Sequence, residues 1–361
     1  MSILVYDPIE GGHHADYRRA YAEDLKANGE KVVLCGPAAE KKEYSSSLAE
    51  FIPTAAPKKI KVRLGPVRPS LQTLRNMHQL AAQIRQCRHA IEMVFLPMLD
   101  DFTDAWISYS QARMFIGKPF TGVWFNAAPL RFGGRKNHHT LIGGAPIGML
   151  DEGVYKPAKK ALGVDIVSFP DFATVHSETS ALAKALRRWA GTRSLVVLCG
   201  ALGAHKGIED LYRLAEKRDD IAVFVGGRFI EHQVPKSFLK LVKLSNVRCH
   251  KGFLSALDFD SIIRHSDAIW LGYSGFASSS NVLRKAAECR ICAIVRDGAL
   301  LSERVRKFGL GVVFNDEKSL LTLDLKHVFD ARVEHFLELH SRKANRAALQ
   351  KLLALCRLKV T

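Results

Sequence analysis

Short, wholly apolar runs alternate with helix-spaced stretches along almost the whole chain, and nothing else in it constrains the fold as strongly. A run that is apolar on both faces must be covered on both, the condition of a strand inside a parallel sheet flanked by helices. Residues 3–6, 31–35, 91–96, 122–125 and 147–150 read as such strands, with helices over 15–28 and 70–88. In the second helix Leu71, Leu74, Met77, Leu80 and Ile84 recur on one side. The pattern then restarts. A strand over 166–169 and a helix over 177–189 lead to the strand 194–199, the helix 208–217, the strand 221–225, the helix 236–244 and the strand 247–250. The helix 259–265, the strand 268–271, the helix 281–289, the strands 292–295 and 311–314, and a helical tail from about residue 325 complete it. Repeated βα units predict an α/β chain, and the restart predicts two Rossmann-like domains with a linker near 172–193. The 361 residues suffice for two such domains.

The chain carries 53 Lys+Arg against 36 Asp+Glu, a formal charge of +17. An excess of that size leaves the fold open but attracts polyanions. The seven cysteines are odd in number and lie mostly in apolar runs, which reads as reduced, buried thiols of a cytoplasmic compartment. Cys289 and Cys292 form a CxxC with no second pair or histidine at zinc spacing, so they read as small core residues. The first residues, MSILVYDPIEGG, lack a basic n-region and read as a strand running into a glycine turn, not a targeting peptide. No segment approaches the roughly 20 apolar residues of a transmembrane helix.

In an open parallel sheet, ligands gather at the carboxyl ends of strands, where helix N-termini favour anions. Four segments fit that description. In 7–14, Gly11 and Gly12 separate a strand from a helix, and His13 and His14 follow. Glycine there lets a phosphate or sugar approach the backbone; a tight turn with solvent-exposed histidines is the alternative. In 200–207, GALGAHKG, Gly200 opens a turn and Lys206 stands beside Gly207 at a helix start, a natural diphosphate contact. The Walker A order is absent. In 225–229, VGGRF offers Arg228 as a bidentate phosphate donor. In 273–285, Ser278, Ser279, Ser280 and Asn281 precede an apolar helix as a cap with further donors, although serine runs also serve as plain caps. The acidic pairs Asp100 with Asp101 and Asp151 with Glu152 lie near strand ends. They read as capping or acceptor contacts, and no metal site is expected.

The order of these segments resembles the donor domain of the retaining family 4 glycosyltransferases, which have the GT-B fold. That family carries G-R-L-x3-K-G after a strand, a strand ending near V-G-x-G, V-x-F-x-G-x-V/L, a short strand, and an E-G-F-G-x3-L-E-A segment. Residues 200–207, 225–227, 247–254 (VRCHKGFL), 266–271 (SDAIWL) and 277–295 match these in turn, and Gly11 with Gly12 sits at the family's glycine-rich loop. The resemblance implies two Rossmann-like domains facing a central cleft. Residues 1–172 would bind the acceptor and 173–344 the nucleotide sugar, with a C-terminal helix of about 345–361 crossing back to the N-terminal domain. The implied activity is metal-independent transfer of a hexose or N-acetylhexosamine, with retention, from a UDP- or GDP-linked donor. The acceptor would be lipid-linked or a polysaccharide, in bacterial cell-surface glycan synthesis. The nucleotide sugar is a substrate, and no resident cofactor is implied. Lys206, Arg228 and helix N-termini would neutralise the leaving diphosphate. His13 and His14 would orient acceptor or sugar hydroxyls, and Asn126 stands where relatives place a catalytic-region histidine. Ala201 replaces the family's arginine, and Ala277 and Lys285 replace its two glutamates, the first on the donor sugar and the second on the ribose. Two alternatives therefore stay open: an inactive GT-B homologue binding a sugar nucleotide or partner enzyme, and a GT-B sugar-nucleotide epimerase.

Lys58, Lys59, Lys61, Arg63, Arg68, Arg75, Arg85 and Arg88 form a run without Asp or Glu, Arg131, Arg135 and Lys136 lie in a loop, and the last 23 residues hold six basic side chains and no acid. The expected use is docking through 58–88 on anionic inner-leaflet lipid, at about 1 kcal/mol per basic side chain near the surface. The protein would then sit peripherally on the cytoplasmic face of the inner membrane. Solvated helix faces are the plainer alternative. Nucleic acid is not an expected partner, because no zinc finger, RNP motif, KH loop or aromatic–basic stripe is present.

Overall fold

The computed structural model describes residues 2–10, 12–44, 50–55, 68–102, 108–125, 144–229, 235–276 and 278–360. The chain forms two compact units, Met1–Pro170 with Arg342–Thr361, and Asp171–Ser341.

Among the described residues the first unit holds a seven-stranded parallel sheet. Its strands are β1 (Ser2–Tyr6), β2 (Val32–Pro37), β3 (Glu50–Thr54), β4 (Ile91–Leu96), β5 (Phe120–Trp124), β6 (Ile147–Met149) and β7 (Ile166–Ser168), in the order β3-β2-β1-β4-β5-β6-β7. β1 lies inside the sheet, between β2 and β4: Leu4 and Val5 are fully buried, in register with Val33 and Leu34 of β2. β3 is absent from the periodicity because Pro53 interrupts it. As an edge strand it tolerates a proline, since one side of its backbone needs no ladder partner. The helices Tyr109–Ile116 and Tyr155–Leu162 also escape the pattern. Each has eight residues, too few to repeat an apolar stripe, and each is set by its ends. Ser108 and Gln111 form a capping box and Gly117 (φ 80°) closes the first; Gly163 (φ 66°) closes the second.

The long helix Arg342–Val360 belongs to the first unit, the return that the resemblance implies. Charge seats it. Arg342 and Arg346 pair with the buried Asp24 at 2.8 and 3.1 Å, and Arg357 pairs with Glu30 and Glu92 at 2.8 and 2.9 Å. The Arg357 guanidinium holds the Glu92 carboxyl below the usual carboxylate range. Three of the six C-terminal basic side chains are thus matched inside the unit rather than offered to a polyanion.

The second unit holds, among the described residues, a six-stranded parallel sheet of β8 (Ser194–Cys199), β9 (Ile221–Gly227), β10 (Val247–Lys251), β11 (Ala268–Leu271), β12 (Cys292–Arg296) and β13 (Gly311–Phe314). Their order is β10-β9-β8-β11-β12-β13. Leu195, Val197 and Cys199 enter the core on one face of the sheet, Val196 and Leu198 the core on the other. That is the two-residue alternation of a strand covered on both sides. Of the seven free cysteines, Cys35, Cys199, Cys292 and Cys356 are buried; Cys249 is exposed because β10 is an edge strand. The tail is not one helix. Arg332–Leu339 stays in the second unit, and the chain leaves it at His340 and Ser341.

His340 is 6% exposed; its Nδ1 accepts a hydrogen bond from the Asp171 N–H at 2.9 Å, and its ring centre lies 4.4 Å from that of Phe336. Burial, and then the charges of Arg304, Arg284 and Lys307, push this imidazole down to about 2. The unfolded chain takes up the proton near pH 6.5 and the folded unit refuses it, so this contribution is complete above 6.5 and is lost as pH falls toward 2. Between pH 6.5 and about pH 4.5 the second unit is expected to lose about 2 kcal/mol that a His340→Gln variant does not lose. Urea denaturation of both proteins at the two pH values reads the difference; identical pH dependence would remove His340 as its source.

Candidate active site

In each sheet the strand order reverses once, between β1 and β4 in the first unit and between β8 and β11 in the second. Chains leave the two adjacent strand ends in opposite directions there, and the crevice beyond the carboxyl ends is where open parallel sheets bind ligands. At the second reversal the loops are 200–207 and 272–280, two of the segments that carry the sequence motifs.

These loops meet backbone to backbone. A Cβ on Gly207 (φ 63°) would stand 1.9 Å from the Gly272 carbonyl oxygen, and one on Gly227 (φ 144°) 1.8 Å from that of Gly200. Only glycine permits either approach. Hydrogen bonds then fix the register: the Trp270 indole donates to the Lys206 carbonyl, Ser274 N–H to the His205 carbonyl, and Leu202 N–H to the Arg228 carbonyl, each at 2.9 Å. The Lys206 ammonium sits 3.8 Å from the Tyr273 ring centre, and among the described residues no carboxylate pairs with it. His205 stacks on Phe276 at 5.8 Å and meets Tyr273 edge-on. Burial, and then the Lys206 charge, lower the His205 pKa, so its ring is neutral at pH 7. The Arg228 side chain is exposed.

The helix Asn281–Glu288 opens from the same loop. Ser280 is its N-cap residue but makes no side-chain cap bond, and the first turn carries no acid. The helix Ile208–Lys217 differs, with Glu209 and Asp210 in its first turn. The anion-favouring dipole argument therefore applies to the start of the helix at Asn281, while Lys206 contributes a point charge from the neighbouring loop. Ser278, Ser280 and Asn281 are half-buried around that start. Ser279 has structural partners instead: its hydroxyl lies between the buried Asp171 and Arg304. Lys285 likewise pairs with Asp260, which is fully buried and also accepts from the His176 N–H at 2.9 Å.

At the reversal in the first unit, Asp7 follows β1, and His14 Nδ1 lies 3.1 Å from its Oδ2. A carboxylate only accepts, so Nδ1 carries the proton and the imidazole is held in one orientation. Arg18, fully buried, donates from Nη1 to the carbonyls of Asp7 and Ile9 at 2.9 and 3.0 Å, and from Nε and Nη2 to Glu40. The turn that follows β1 is thus shaped by one guanidinium. Asp100 accepts from the Phe125 N–H at 2.9 Å, and Asp151 from that of Gly153 at 3.0 Å. Gly12 opens the helix Gly12–Ala27. Gly11, Asn126, the side chain of His13, Lys58, Lys59, Lys61, Arg63, Arg131, Arg135 and Lys136 lie outside the described residues. Among the described residues no three His, Cys, Asp or Glu are grouped to hold a metal ion.

Sequence reasoning missed Tyr273, His205, Asp7, Arg18 and Glu40. Asp7 carried a local signal, a carboxylate closing an apolar strand at its carboxyl end. The others acquire meaning only from residues far away in the chain.

No protein-family model matches the chain, and no curated protein does. Solved structures match it over nearly its whole length. Sucrose-phosphate synthase from Thermosynechococcus elongatus superposes with a TM-score of 0.69 at 13% identity, covering 98% of each chain. The trehalose-6-phosphate protein of E. coli bound with UDP-2-fluoro glucose gives 0.65 at 10% identity, covering 97% of this chain and 98% of that one. A Listeria monocytogenes structure assigned as a UDP-N-acetylglucosamine 2-epimerase gives 0.57 at 15%, covering 98% and 94%. The likeness is one of fold. Two α/β units, each on a parallel sheet, give this chain the GT-B fold.

Proposed function

We propose that this GT-B chain is a glycosyltransferase that moves a hexose or N-acetylhexosamine from a UDP- or GDP-linked donor to a lipid-linked or glycan acceptor, with retention. The observation that carries the reading is the joining of loops 200–207 and 272–280 at the strand reversal, with the Lys206 ammonium facing no carboxylate among the described residues. The ammonium, the start of the helix Asn281–Glu288 and the exposed Arg228 supply the positive potential that a departing diphosphate needs. Gly200, Gly207, Ser278, Ser280 and Asn281 would line the donor phosphates, with Ser279 and Lys285 bracing the loop through Asp171 and Asp260. In the first unit His14, oriented by Asp7, is suited to hold a sugar or acceptor hydroxyl, and the same role is proposed for His13; Gly11 and Gly12 would let the donor's phosphate or sugar approach the backbone, and Asn126 would belong to the catalytic region. Two structural neighbours support the donor class, one named a synthase of a sugar phosphate and one bound with a UDP sugar.

A screen of UDP- and GDP-sugars by thermal unfolding tests the reading. A true donor at a hundred times its Kd stabilises the fold by about 2.7 kcal/mol. No stabilisation by any of them would sink the proposal. The epimerase on the same fold makes a second reading concrete: conversion of the free sugar nucleotide with no acceptor present would establish it.

The membrane is the proposed partner surface, with the protein on the cytoplasmic face. Among the described residues no helix is long and apolar enough to cross a bilayer. Arg75, Arg85 and Arg88 are exposed on and just after the helix Arg68–Gln86. Phe115 lies beside His78 of that helix, and Met114 and Phe115 are 77% and 48% exposed, so apolar side chains accompany the cations. Changing Lys58, Lys59, Lys61 and Arg63 together to Ser is expected to weaken flotation on phosphatidylglycerol vesicles at least tenfold, given about 1 kcal/mol per basic side chain. Equal flotation of variant and parent would remove this segment from docking.

A further inference from the structure

We infer that Tyr273 is a positioning residue for Lys206: its ring face holds the ammonium in place and leaves its charge unmatched for an incoming diphosphate. The inference rests on the donor-site reading of Lys206. A lysine side chain has four rotatable bonds, and an unheld ammonium spends most of its time elsewhere. Folded proteins commonly fix such a group with a carboxylate, which would also cancel its charge and repel the ligand's. A ring face attracts the cation through its quadrupole and adds no net charge.

The geometry is built for that task. Nζ lies 3.8 Å from the Tyr273 ring centre. The ring is itself clamped: it is 7% exposed, meets Phe276 at 5.1 Å and 89°, and meets His205 at 5.8 Å and 82°. The Lys206 main chain is anchored through its carbonyl to the buried Trp270 and through the Gly207–Gly272 approach. Both ends of the lysine are therefore fixed, one by hydrogen bonding and one by the ring. The Tyr273 hydroxyl is buried and has no hydrogen-bond partner among the described residues, so the ring and not the hydroxyl makes the contact. His205, neutral at pH 7, adds no competing charge.

Two variants separate ring from hydroxyl. Tyr273→Phe keeps the face, and Tyr273→Leu removes it. UDP and GDP binding by titration calorimetry is expected to weaken about tenfold in Tyr273→Leu and to stay at the parent value in Tyr273→Phe. In a Lys206→Ala background the Leu substitution should cost nothing further, because the partner it acts through is gone. A loss in Tyr273→Phe, or an equal loss from Tyr273→Leu in both backgrounds, would overturn the inference. A ligand-free readout keeps it testable if neither nucleotide binds. In protein labelled with 13C at lysine Cε, the Lys206 methylene, identified by its absence in Lys206→Ala, should be shifted upfield by the ring. That shift should persist in Tyr273→Phe and vanish in Tyr273→Leu. An unshifted Lys206 signal in the parent protein overturns the contact itself. A shifted signal without nucleotide binding overturns the donor-site reading alone.

Discussion

Replacing Lys206 with alanine is expected to lower turnover at least 100-fold, equivalent to about 2.7 kcal/mol of transition-state stabilisation. The charge on a diphosphate leaving group grows as the glycosidic bond breaks, so a fixed cation beside it stabilises the transition state more than the bound donor. The loss should therefore fall mainly on kcat, with KM changing less. Lys206 meets the requirement of fixity. Its carbonyl is bonded to Trp270, its ammonium rests on Tyr273, and no carboxylate among the described residues neutralises it. Single-turnover rates with the donor found in the thermal screen measure the effect. Rates equal to the parent's would remove Lys206 from the chemistry and leave the loop a structural turn.

Replacing Arg18 with methionine is expected to destabilise the first unit by about 3–5 kcal/mol, the usual consequence of stripping one partner from a buried ion pair. Arg18 is fully buried, and it bonds Glu40 and the carbonyls of Asp7 and Ile9. Methionine fills much of the same space but leaves the Glu40 carboxylate and two carbonyls without their donor. Hydrogen exchange of the β1 and β2 amides isolates this unit from the other, which a whole-protein melting curve would not do. Adding Glu40→Gln should recover part of the loss, because a neutral amide tolerates burial better than a lone carboxylate. A loss below about 1 kcal/mol would mean that water reaches the pair and that the guanidinium is not what shapes the turn after β1.

The fold was legible because its signals are local. An apolar run such as Leu195–Val196–Val197–Leu198 declares a strand covered on both faces without reference to anything distant, and the two cores that receive its alternate residues confirm that. Elements that the periodicity passed over had another local cause. Pro53 disguised an edge strand, and the helices Tyr109–Ile116 and Tyr155–Leu162 are held by caps and terminal glycines rather than by a long stripe. The candidate site was legible only in outline. Glycines and a lysine at strand ends marked the loops, but the serine run was misleading as a set. Ser279 hydrogen-bonds Asp171, 108 positions away, while Ser280 lends its helix no side-chain cap.

The amino-acid sequence by itself determined element type, the two-unit α/β plan and which loops stand at strand carboxyl ends, because side-chain periodicity is a property of neighbouring residues. Tertiary structure alone decided which charges meet. Arg342 reaches Asp24 across 318 positions, Arg18 reaches Glu40 across 22, and Lys206 settles on Tyr273 because β8 and β11 lie side by side. An ion pair or a cation on a ring is chosen by whichever groups burial brings within a few ångströms, and strand order, not chain order, sets that list.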